Sequence, residues 1–125
     1  MRNVNPNTVK ERQIDSQLLT LDVEKEARLL RAEPEWIAGE RNGKTLAKYP
    51  HMRVVLISLR KGTGLREHKV EGPMALYVVS GKVTISVKNA EYQVRNGGLF
   101  TLRKTIPHDV RATDDSTILL TIMHI

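Results

Sequence analysis

Four histidines and no cysteine set the chemistry open to this chain of 125 residues. Imidazole titrates near neutrality, ligates divalent metals and acts as general acid or base. Without a thiol, disulfides, thiolate metal sites and a cysteine nucleophile are all excluded, which leaves histidine as the metal ligand of choice. His51 follows Tyr49-Pro50 ahead of a strand-like run and is expected at the surface, as is His124 near the chain end. His68 sits in GTGLREHKVEGPM and His108 in RKTIPHDVRA. There is no Gly-x-Ser-x-Gly turn to hold a serine nucleophile, and Gly62-x-Gly64 lacks the strand-to-helix context of a phosphate loop. Hydrolase and nucleotide-binding readings therefore have little support.

The elements that must position these side chains are mostly strands. The first 20 or so residues are polar and Asn-rich and read as a loose arm. DVEKEARLLRA then puts Val23, Ala27 and Leu30 on one helical face, with Asp22 as N-cap, Glu24 and Glu26 in the first turn, and Pro34 as the stop. After Arg41, short runs rich in Val, Ile, Leu and Thr recur. They are separated by turn signals at Asn42-Gly43, Gly62-Thr63-Gly64, Gly72-Pro73, Ser80-Gly81, Asn96-Gly97-Gly98 and Asp114-Asp115. KVTISVK alternates, with Val83, Ile85 and Val87 on one face. MRVVLISL and TILLTIM are apolar on both faces, which calls for a second covered surface outside the barrel. With no crossover helices, an antiparallel sandwich or closed barrel follows. Aromatics make up only 4% of the chain, so its interior is narrow and aliphatic.

Lys and Arg number 20 against 14 Asp and Glu, a net +6. These cations are scattered singly or in pairs such as Arg60-Lys61 and Arg103-Lys104, without interleaved aromatics, so a solvated basic surface is expected rather than a nucleic-acid partner. No stretch is apolar enough for a membrane helix, and the opening MRNVNPNTVKERQ lacks the apolar centre of a secretory signal. A cytoplasmic protein is the expectation.

GTGLREHKVEGPMALYVVSGKV resembles the first signature motif of the cupin family, with Gly62, His68 and Gly81 at matching positions. NGGLFTLRKTIPHDVRA resembles the second, with Gly97 and His108 in register, and the fifteen residues between Gly81 and Gly97 suit one hairpin. The resemblance runs from about Thr45 to Ile125 and implies an all-β, antiparallel jelly-roll barrel over residues 42–125, with residues 1–41 as an arm and short N-terminal α-helix packed on it. In that family three His and one Glu hold iron, manganese, zinc, nickel or copper. Here Val70 replaces the second His of the pair, Met74 replaces the Glu, and Arg103 and Thr105 replace the Pro and Gly before the last His, although Pro107 precedes His108 directly. Two of four ligands are missing.

The resemblance implies that His68 and Val70 point into the barrel with His108 across from them, Val110 and Ala112 sharing its face by strand alternation. Two imidazoles in an apolar barrel suit several roles: sharing one divalent transition metal at low occupancy, acting as acid and base, or hydrogen-bonding a small ligand. The expected pocket is therefore His68, His108, Val70 and Met74, with His68 and His108 as the metal ligands of the metal version. Met52 and Met123 are adaptable core or lining. Arg60 and Arg103 are rim residues for an anionic ligand or ordinary surface. Glu67 and Glu71 belong to the surface, and Trp36 plugs an apolar face. The leading expectation is a small-molecule-binding cupin, and two others stand beside it: a metal-dependent cupin enzyme, dioxygenase-like or isomerase-like, and a non-catalytic assembly barrel. The two-faced strands and the family habit of pairing barrels imply a homodimer.

Overall fold

Asp22 caps the first helix as its residue type dictates, its carboxylate accepting a hydrogen bond from Lys25 N at 3.1 Å. The computed structural model describes residues 14–65, 72–103 and 106–124. Helix α1 spans Val23–Arg31 and buries Glu26, Ala27 and Leu30. It stops just ahead of Pro34, as expected. The helix ends at Arg31, and Pro34 opens a short helix α2, Pro34–Ile37, where its missing N–H costs nothing.

Nine strands follow among the described residues: β1 Arg41–Tyr49, β2 Met52–Leu59, β3 Gly64–Leu65, β4 Met74–Ser80, β5 Lys82–Val87, β6 Ala90–Arg95, β7 Leu99–Leu102, β8 His108–Ala112 and β9 Ser116–Met123. They form two antiparallel sheets, ordered β1-β2-β9-β4-β7 and β3-β8-β5-β6, which face each other as a jelly roll. Asn42-Gly43, expected as a turn, lies instead within β1. The Asn42 amide there donates to Leu30 O at 3.0 Å and Glu33 Oε1 at 2.8 Å, so this residue serves the helix end rather than a chain reversal.

The alternation of KVTISVK holds: Val83, Ile85 and Val87 are buried in the barrel beside Leu76, Val78, Val110 and Ile118. The two-faced strands find their second cover within the chain. Ala27 and Leu30 of α1 pack with Leu46 and Leu56, and Val54, Val79 and Leu119 join them, so the outer faces of β1, β2 and β9 are closed by the helix. The Arg31 guanidinium donates to Thr117 Oγ1 at 2.7 Å, and Thr117 in turn bonds Ser58 Oγ at 2.8 Å. The double-sided apolar pattern that suggested a homodimer is thus met by the helix at these positions. Lys44 Nζ lies 2.7 Å from the carboxylate of Glu26, which sits in the first turn of α1 as expected and is buried there.

Candidate functional site

Strand direction places the starts of β2, β4 and β8 and the ends of β5, β7 and β9 at one end of the barrel. The register confirms this, with Val87 opposite His108, Leu102 and Ile122 on either side of Met74, and Arg53 opposite Ile122. Beyond this layer the interior is filled by the chain itself. Leu59, Leu76, Val78, Val83, Ile85 and Ile118 are each 0% exposed. A molecule entering the barrel from this end would therefore reach no deeper than the layer of His108 and Met74, because the layers beyond have no surface to offer.

His108 begins a strand whose residues alternate buried and exposed, so its ring shares the inner face of Val110 and Ala112. It is 8% exposed. Nδ1 lies 2.9 Å from Ile106 O. A carbonyl oxygen can only accept, so Nδ1 carries a proton, and the neutral tautomer that makes this bond has its lone pair on Nε2. This arrangement fixes ring orientation and tautomer, as second-layer carbonyls do for histidines that accept a hydrogen bond or ligate a metal. Met74 is 5% exposed and packs in the core cluster from the opposite sheet.

His68 and Val70, expected in the same pocket, lie outside the described residues, as do Glu67 and Glu71. Among the described residues no three His, Cys, Asp or Glu side chains converge. The two described donors of the layer itself, the His108 imidazole and the Met74 thioether, do not by themselves fit zinc, iron, manganese or nickel.

The remaining expectations sort by location. His51 is exposed as expected, whereas His124, expected at the surface, is partly buried, its backbone N–H donating to His51 O at 2.8 Å. Trp36 is buried, and the Arg60 guanidinium stacks 3.8 Å from its ring centre. Arg60 also donates to Trp36 O at 2.9 Å and to Asp115 at 3.3 Å. Following the last residue of β2, it tethers α2 at the far end of the barrel and takes no part in the His108 layer. Arg103 is exposed beside Ala75, Thr101 and Thr121, which alternate out of the barrel. The cations near the His108 layer are different ones, Arg53 and Lys48, which face each other across β1 and β2. Arg53 was legible in MRVVLISL, where it shares the parity of Val55, Ile57 and Leu59.

The model of the cupin domain matches residues 55–124. The chain belongs to the cupin family. Three glycines of its two motifs, Gly62, Gly81 and Gly97, hold φ values of 87°, 97° and 78°, a region that side chains rarely adopt, which explains glycine at those turns. Solved cupin folds align over most of the chain. A cupin superfamily protein of Desulfitobacterium hafniense has a TM-score of 0.73 at 14% identity, over 90% of this chain and 96% of that one. A conserved protein of unknown function from Streptococcus pyogenes has 0.68 at 21% identity, over 90% and 92%. An RmlC-like cupin from Shewanella frigidimarina has 0.63 at 18% identity, over 70% and 78%. At these identities the likeness is one of fold. No curated protein matches the chain.

Proposed function

We propose that this cupin is a small-molecule-binding protein, its ligand a small organic compound seated at the His108 end of the barrel. Nε2 of His108 makes the polar contact and Met74 lines the apolar wall. The cupin resemblance assigns His68 and Val70 to the same pocket. The observation that carries the reading is the pairing of a filled barrel with one inward histidine whose Nδ1 is committed to Ile106 O and whose Nε2 has no partner among the described residues. A neutral imidazole oriented in this way accepts a hydrogen bond from a ligand hydroxyl, acid or amide.

The test is a thermal-shift screen of metabolites against wild type and His108→Ala. A ligand at 100 times its Kd adds about 2.7 kcal/mol of stability. A compound that raises Tm in wild type and not in the variant is the expected result. Compounds that stabilise both proteins equally, or a screen in which nothing stabilises wild type, would overturn the reading.

The metal-dependent enzyme is the second reading, favoured by the Nδ1 hydrogen bond of His108, which is also the orientation device of metal-ligating histidines. Metal content after purification without added metals separates the two. The ligand-binding reading expects no stoichiometric metal in wild type, and the metal reading expects stoichiometric metal that His108→Ala removes.

A further inference from the structure

Among the described residues, one buried side-chain nitrogen has no hydrogen-bond partner: Nε of Arg53. Its position is set by the sheet. β2 pairs with β9 without a register break, so Arg53 faces the same side as Val55 and Ile57 and sits opposite Ile122, all of which pack against the barrel core. On its other side Arg53 is opposite Lys48. His124, two residues beyond Ile122, continues the same parity. Lys48, Arg53 and His124 line one cleft of about 640 Å³, in which Asp15 is the single acidic residue among the described lining. Neither Lys48 nor Arg53 has an ion-pair partner among the described residues.

A buried guanidinium N–H without an acceptor is a standing cost to the folded state, removed when a ligand supplies the acceptor. Guanidinium also offers the planar fork that matches carboxylate and phosphate oxygens, and a neighbouring ammonium adds attraction for the same charge. We propose that Arg53, assisted by Lys48 and His124, is an oxyanion subsite at the mouth of the barrel. It holds the carboxylate or phosphate head of the ligand, whose body reaches toward Met74 and His108. This rests on the reading of the barrel as a ligand pocket and names the chemical class of that ligand. It also moves the anion contact away from Arg60, which is committed to Trp36 and Asp115.

The experiment follows the Arg53 Nε–H signal of the full chain by ¹⁵N-edited NMR during titration with succinate, inorganic phosphate and uncharged succinamide at matched ionic strength. Saturable movement with succinate or phosphate and none with succinamide is expected, and the stronger of the two anions identifies the head group. Binding of that anion should weaken at least tenfold in Arg53→Met and by less in Arg53→Lys, which keeps a point charge without the fork. No saturable movement with either anion, movement with succinamide alone, or undiminished binding in Arg53→Met would overturn the proposal. Should Arg53→Met fail to fold by circular dichroism, the wild-type titration and Arg53→Lys decide. An unchanged ligand response in His108→Ala counts against the barrel pocket, whereas the Arg53 signal reports on the anion subsite alone.

Discussion

His108 combines two chemical demands on one ring, since Nδ1–H satisfies the Ile106 carbonyl while Nε2 remains available on the inner face. The two nitrogens can be separated from the ring's bulk. In His108→Phe a buried aromatic is kept and only the polar atoms are lost, so stability measured by urea denaturation should stay within about 2 kcal/mol of wild type. The ligand-induced rise in Tm should vanish in the same variant, and its survival would place the ligand elsewhere. The turn glycines make a sharper comparison. Gly81 and Gly97 both have positive φ, but a Cβ at Gly81 would collide with Ser116 and the Asp115 carbonyl, whereas nothing lies within 4 Å of one at Gly97. Gly97→Ala should therefore cost only the backbone term, about 1–2 kcal/mol. Gly81→Ala should cost clearly more in the same denaturation assay, and equal losses would mean that strain in φ alone governs both turns.

Helix α1 is the element whose role the primary pattern only half disclosed. Its apolar face, Val23, Ala27 and Leu30, follows from periodicity, but its docking partner, the outer side of β1, β2 and β9, does not. Leu30 is fully buried at the centre of this contact. Leu30→Ala should lower the unfolding free energy by about 2–5 kcal/mol, because both the transferred surface and the cavity contribute. Asp22→Ala removes the N-cap bond and should cost about 0.5–2 kcal/mol. If both variants unfold like wild type, the helix is not part of the cooperative unit. The same packing shows why two-faced strands need not signal a second subunit: a short amphipathic helix covers the apolar outer positions of the strands it crosses.

At the scale of the whole molecule, the barrel is a packed aliphatic core with the buried His108 at one end. No helix among the described residues is long and apolar enough to cross a membrane. A core that supplies its own stability does not depend on a bound ion, as small domains that fold only with metal do. Prolonged dialysis against a chelator should therefore leave Tm unchanged within error in differential scanning calorimetry. A fall of several degrees, restored by one divalent metal, would show that an ion contributes to the fold.

The sequence by itself determined the strand-rich architecture, the shared face of Val83, Ile85 and Val87 and that of His108, Val110 and Ala112, the helix cap at Asp22, the turn glycines and the cupin likeness. Each is written in local spacing, because side-chain direction along a strand and backbone freedom at a turn depend on near neighbours. Only the tertiary structure decided that α1, expected on the barrel, covers β1, β2 and β9 in particular, that Asn42 closes a helix end instead of making a turn, and that Arg60 braces Trp36 while Arg53 takes the inner side of β2. Those outcomes depend on which distant strands pair and on what packs against their faces. Parity along β2 separates Arg53 from Val54, but it takes the pairing with β9 and the docking of α1 to say which of the two sides is the inside.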